Sequence, residues 1–326
     1  MKTEPGLSDR ARTSIRCVPS MCAALIAVLA AGGPVNAQQQ ALGSPAAPKA
    51  PASVVAAAPQ GAVGGLGDIN LYPKRVVMGD KLRVTSVGLY NRASASGDYE
   101  ISISDLVMKP DGTLVELATI KDEAERAKVR TASALIRWSP HRVTLPANEA
   151  QMIRVMAHAG PDLPPGEYHS HFSVVAVPPV SDGLSIEQAA GATQPGNIGV
   201  TIVPRFGIAI PVIVRVGQTT LTAGLRDLAV TTSRAGAKVV SLTITRAGTR
   251  SAFGDVTVTV PGAKKPVAQV RGIGVYTEIA ERRIEIPLTP DADPRLIAPG
   301  ARLTVTYVDD DEAPGKTLAR QEFVVP

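Results

Sequence analysis

The chain has 326 residues, 44% of them apolar and 3% aromatic, with a formal net charge of +5. Its two cysteines, Cys17 and Cys22, exclude a disulfide framework and any multi-cysteine metal centre. Glycine at 29 positions and proline at 27 argue against a long helical bundle, and the length suits two domains of ordinary size.

Lys2, Arg10, Arg12 and Arg16 precede an apolar run from Ala23 to Ala31, and small residues follow to Val35-Asn36-Ala37. This order of basic, apolar and small residues is that of a secretory signal peptide, with cleavage expected after Ala37. The apolar run is about half of the ~20 residues that cross a bilayer, so a transmembrane anchor is disfavoured. No cysteine follows the run to make a lipoprotein, and Ala11 separates Arg10 from Arg12, against a twin-arginine address. Removing residues 1–37 takes away four basic and two acidic residues, which lowers the charge from +5 to +3, and takes both cysteines with it. The remaining basic residues are scattered among acids, which excludes a nucleic-acid stripe.

Residues 38–67 are rich in Ala, Pro, Gly and Gln and are expected to form a flexible tether. From Leu71 onward, short period-2 segments alternate with turn signals. Tyr99, Ile101 and Ile103 share one face, as do Val240, Leu242 and Ile244, then Val256, Val258 and Val260, then Leu303, Val305 and Tyr307. Such segments bury one face and wet the other, the habit of antiparallel sheets. Turns are expected at Gly79-Asp80, between Asn91 and Gly97, at Pro110-Asp111-Gly112 and at Pro261-Gly262. The one helical expectation covers Asp122 to Ala134. Ser181 to Asn197 reads as a long loop between two strands, and loops of that length are commonly functional. Many short strands without intervening helices predict an all-β chain of two immunoglobulin-like sandwiches, at 68–216 and 218–326, with the boundary near Gly217.

No constellation of catalytic residues emerges, so no enzyme activity and no cofactor are expected. His169 and His171 lie two apart on a strand, opposite Tyr168 and Phe172. They read as a solvated face rather than as a metal site, which would need about four ligands. Gly272-Ile273-Gly274 lacks the third glycine and helix of a dinucleotide loop and reads as strand and turn. The run Asp309-Asp310-Asp311-Glu312 lacks the ligand spacing of a calcium loop and reads as a solvated hairpin tip.

Four stretches carry a resemblance, in the order in which one family has them. These are Leu71-Tyr72-Pro73-Lys74-Arg75-Val76-Val77; Ile136-Arg137-Trp138-Ser139-Pro140 through Leu145-Pro146, followed by Gln151-Met152-Ile153-Arg154-Val155; Leu163-Pro164-Pro165-Gly166-Glu167-Tyr168; and Gly199-Val200-Thr201-Ile202-Val203-Pro204-Arg205-Phe206 through Pro211. Together they resemble the PapD-like periplasmic pilus chaperones, over 68–216 in detail and over the second block in architecture.

The resemblance implies two immunoglobulin-like domains in an L-shaped arrangement. It also implies a periplasmic chaperone that lends a strand to the open groove of a pilin-like β subunit and passes that subunit to an outer-membrane usher. Such strand addition supplies backbone hydrogen bonds and alternating apolar plugs. On this chain the plugs would be Ile198, Val200 and Ile202, although an ordinary buried strand would look the same. Arg75 and Arg205 would hold the subunit's terminal carboxylate, and Glu167, Asp309 and Asp310 would join an interdomain ion network. The basic partner of that network is open, with Arg215 among the candidates, because the family's aromatic-Arg-Pro run reads Ala209-Ile210-Pro211 here. The alternative to a chaperone is an exported adhesion or structural module on a tether.

Overall fold

A computed structural model describes residues 63–64, 69–178 and 205–326. The signal peptide, the tether up to residue 62, the 181–197 loop and the three plug residues Ile198, Val200 and Ile202 lie outside the described residues.

The first sandwich is built from β1 (Val63–Gly64), β2 (Ile69–Tyr72), β3 (Val76–Gly79), β4 (Val84–Asn91), β5 (Gly97–Ser104), β6 (Leu106–Met108), β7 (Leu114–Glu116), β8 (Ile136–Ser139), β9 (Arg142–Leu145), β10 (Ala150–Ala157), β11 (Gly166–Val177) and β12 (Gly207–Val216). One sheet has the order β1-β2-β4-β10-β8 and the other β3-β12-β11-β5-β9. Alternation explains the layering. Ile69, Leu71, Val87, Leu89, Ile153 and Val155 from the first sheet meet Tyr99, Ile101, Phe172, Val174, Ile208 and Ile210 from the second in one buried core. The strand that begins at Ile69 changes sheets at the Tyr72-Pro73 bend, so β2 and β3 belong to opposite layers. β6 and β7 form a separate hairpin whose turn holds Gly112 at φ 85°, a conformation that a side chain would oppose.

The second sandwich is built from β13 (Leu221–Thr232), β14 (Lys238–Gly248), β15 (Ala252–Thr259), β16 (Ala268–Val275), β17 (Glu281–Pro287), β18 (Arg302–Asp309) and β19 (Thr317–Val324). Its sheets have the orders β13-β14-β17 and β16-β15-β18-β19. Val240, Leu242 and Ile244 face Val256, Val258, Val305 and Tyr307 across the core. Gly217, at φ 62°, follows the last strand of the first sandwich. The expected all-β class and the two sandwiches are therefore both present.

Two local expectations differ. The stretch expected to be helical holds only a one-turn helix, Glu123–Arg126, capped by the Asp122 carboxylate accepting from the Ala124 N–H at 2.9 Å. Its side chains are not buried, so no apolar stripe extends it. The expected tether of 38–67 is not wholly free of structure either. Val63 and Gly64 pair with Leu71 and Asn70, because the outer edge of β2 offers them open backbone groups.

Candidate functional site

β11 decides how the two sandwiches meet. Tyr168, Phe172 and Val174 point into the first core, whereas Glu167, His169 and His171 alternate onto the opposite face. That face is covered by the second sandwich, so all three polar residues are at most 1% exposed. His169 Nε2 lies 3.0 Å from Glu278 Oε2, and His171 Nε2 lies 3.0 Å from the Tyr276 hydroxyl. The solvated face expected for these histidines is thus a buried contact between sandwiches, and their ring nitrogens are directed at Glu278 and Tyr276. Period 2 shows which residues share a face but not what covers it. Glu278 also accepts from the Met108 N–H at 2.8 Å, which ties the β6–β7 hairpin to the second sandwich. Met108, Ile213, Phe253 and Tyr276 form the apolar part of the same contact.

Burial lowers the His171 pKa to about 3, with nearby His169 adding to the effect. The geometry agrees, since Nδ1 of His171 is buried with no partner and a second N–H there would find no acceptor. Burial also pushes the Tyr276 hydroxyl well above its usual range, helped by Glu278, so it stays protonated.

An ion network borders the histidine contact. Glu167 accepts from Arg215 Nε at 3.0 Å and from the Ser251 N–H at 3.1 Å, while Arg215 also binds Asp311. Burial alone would depress the Arg215 pKa, but Glu167 and Asp311 outweigh it and the pKa is raised. Arg75 donates to the backbone oxygen of Asp310 at 3.1 Å and to its Oδ1 at 3.0 Å, and stacks 4.1 Å over the Phe253 ring. Lys74 pairs with the same carboxylate.

The acidic run is therefore no solvated tip. Asp309 is 2% exposed and accepts from the backbone N–H groups of Asp311 at 2.8 Å and Ala313 at 3.3 Å, so it shapes the turn. Asp310 and Asp311 reach the first sandwich. Asp311 had no separate assignment in the sequence, where its neighbours looked equivalent; only the turn shows that it meets Arg215.

Arg75 and Arg205 are not brought together. Val76 pairs in parallel with Val212, which puts Arg75 level with Pro211. Arg205 lies six residues earlier, about 20 Å along the strand. Its side chain is 52% exposed and sits 3.3 Å from Glu100 Oε2. The cleft around Arg75, of about 730 Å³, is instead shared by Lys74, Arg215 and Arg271.

Beside this cleft, among the described residues, one edge of β12 is open for half of its length. β11 pairs with all ten of its residues, but β3 covers only Val212 to Arg215. The Ala176 N–H donates to the Phe206 carbonyl at 2.8 Å, which fixes the phase of the ladder. Even-numbered residues of β12 bond to β11, and the backbone groups of Gly207, Ala209 and Pro211 point to the open side. Pro211 has no N–H to lose there.

No protein-family model and no curated protein matches the chain. Solved structures do. The chain is similar to the Pseudomonas aeruginosa CupB2 chaperone at 12% identity and a TM-score of 0.39, covering 78% of this chain and 100% of that one. It is similar to the E. coli chaperone DraB at 14% identity and a TM-score of 0.39, covering 79% and 96%. A third is the CsuC–CsuE chaperone–tip adhesion subunit complex of Acinetobacter baumannii, at 12% identity and a TM-score of 0.38, covering 81% and 98%. All three are chaperones or contain one. Among the described residues no helix is long and apolar enough to cross a membrane.

Proposed function

We propose that this protein is a periplasmic chaperone that binds a pilin-like β subunit by strand addition and delivers it to an outer-membrane usher. The observation that carries the reading is the open half-edge of β12, whose unpaired backbone groups at Gly207 and Ala209 run toward the Arg75 cleft. An unpaired edge invites another strand, and an incomplete sandwich is the partner that gains most from receiving one. The segment just before β12, with Ile198, Val200 and Ile202, would extend the added strand, and the cleft would take the subunit's terminal carboxylate. A guanidinium binds a carboxylate in a fixed, forked geometry, which would set the register of the two strands. Arg205 does not share this role, because it stands about 20 Å from the level of Arg75. The signal peptide at 1–37 would export the chain.

The test is recovery of the exported protein from periplasm. The wild type is expected to bring down one small β-rich subunit in near 1:1 ratio, and Arg75→Ala is expected to lose it. Arg75 is buried against Phe253 and binds Asp310, so the variant is expected to melt at a lower temperature, and recovery is compared at a temperature where circular dichroism shows it folded. Unchanged recovery by Arg75→Ala contradicts the anchoring role. Absence of any subunit from the wild type favours the tethered adhesion module.

A further inference from the structure

The sheet β3-β12-β11-β5-β9 gives the second sandwich a central support and two flanks. Glu167, His169 and His171 of β11 lie under the middle of the contact. On the β3 side, Arg75 binds Asp310 and Arg215 binds Asp311. On the β5 side the tie is the β6–β7 hairpin, which leaves the sheet just after Ser104.

The hairpin is fixed at its root and seated at its tip. The Asp105 carboxylate accepts from the Ser133 hydroxyl at 2.8 Å and the Asp105 carbonyl from the Leu117 N–H at 2.9 Å, so one residue holds both ends. β17 is an edge strand, and its Arg283 N–H donates to the Pro110 carbonyl at 2.8 Å. A Cβ on Gly112 would overlap the Arg282 guanidinium, which shows how closely the tip is seated. Glu278 makes the catch. Its carboxylate is 2% exposed; Oε1 accepts from the Met108 N–H, and Oε2 faces His169 Nε2. Arg246 presents it, donating from Nη2 to the Thr277 carbonyl at 2.9 Å and from Nε to the Ile279 carbonyl at 3.2 Å, on either side of Glu278. A buried carboxylate bonded through both oxygens tolerates little displacement, because a lost bond leaves it buried and unsatisfied.

We propose that Glu278 and the β6–β7 hairpin form a clasp that stops the second sandwich from rocking about β11, and so fixes the width of the Arg75 cleft beside the open edge of β12. Ties on one flank alone leave that rotation free, and ties on both flanks remove it. Glu278 is then a positioning residue for subunit capture, acting through Met108 and His169. The role in capture rests on the strand-addition reading above; the clasp itself does not.

The test measures the rocking directly. Residues 38–326 contain no cysteine, so spin labels can be attached at Ser86→Cys on β4 and Gln321→Cys on β19, both exposed positions. Electron–electron double resonance is expected to give one narrow distance distribution for the otherwise unchanged chain. Glu278→Ala is expected to make it at least about twice as wide, whereas Glu278→Gln, which keeps an acceptor for Met108, is expected to stay narrow. Gly112→Ala pushes the tip off Arg282 without touching the buried histidines. It is expected to widen the distribution too, and it carries the test if Glu278→Ala does not fold. Recovery of the subunit is expected to fall several-fold in both widened variants, with Arg75 untouched. A wild-type distribution in Gly112→Ala and in folded Glu278→Ala overturns the clasp, whatever recovery shows. Widened distributions with undiminished recovery overturn the positioning role. Widened distributions beside a wild type that recovers no subunit support the clasp and contradict strand addition instead.

Discussion

His171 shows how a single side chain records the meeting of two domains. Its ring is neutral when buried against Tyr276, with a pKa lowered to about 3, whereas in the unfolded chain it would titrate near 6.5. A pKa depressed by folding means that the unfolded state binds the extra proton, so stability is fully present above pH 6.5 and declines as pH falls toward 3. The decline is expected to reach at most about 1.4 kcal/mol per pH unit in that window. Other groups titrate there as well, so the informative quantity is a difference. Urea denaturation at pH 7.5 and pH 5 should show a smaller pH dependence for His171→Gln than for the wild type. Equal dependence would mean that His171 is already charged in the folded protein, or that the contact with Tyr276 opens. The spacing of His169 and His171 placed both on one strand face in the sequence. Nothing in the sequence reported that Glu278 and Tyr276, more than a hundred residues later, would close over that face.

The open half of β12 is a property of an element rather than of a residue. Among the described residues it exists because β3 is only four residues long and starts after the Tyr72-Pro73 bend, leaving Gly207 to Pro211 with one neighbouring strand there. Ala209 provides a test, since its N–H points away from β11 and its side chain is exposed. Ala209→Pro removes that outward donor without removing a bond to β11 and should cost less than about 1 kcal/mol of stability, as proline is tolerated at a strand edge. Capture of the subunit should nevertheless fall at least several-fold. A loss of folding would show that the ladder phase is wrong, and undiminished capture would show that the edge is not used. Strands were readable because Val, Ile and Leu alternate with Ser and Thr in β5, β14, β15 and β18. The edge was not, because pairing partners are set by where each strand ends. The same limit explains Arg205, whose distance from Arg75 depends on the register of β3 against β12.

At the scale of the molecule, the two sandwiches share three kinds of contact. These are the apolar residues around Phe253 and Tyr276, the buried histidines of β11, and the Glu167–Arg215–Asp311 ion network, and Phe253 itself lies under Arg75. Buried ion pairs add little net stability, but they punish any arrangement that leaves one member alone. Such a contact suits a protein that must hold an open strand edge and a charged cleft in fixed register. The acidic run was visible from the start as four successive acids. Its division of labour, with Asp309 shaping the turn while Asp310 and Asp311 cross to the other sandwich, became clear only from the folded turn.

The central claim is that the free edge of β12 is completed by a partner's strand. Amide hydrogen exchange across residues 205–211, in the protein alone and in its complex with the recovered subunit, tests it most directly. The Gly207 and Ala209 amides are expected to exchange freely in the protein alone and to slow at least about tenfold in the complex, as ladder hydrogen bonds form. Equal exchange at both amides in the two states would contradict it.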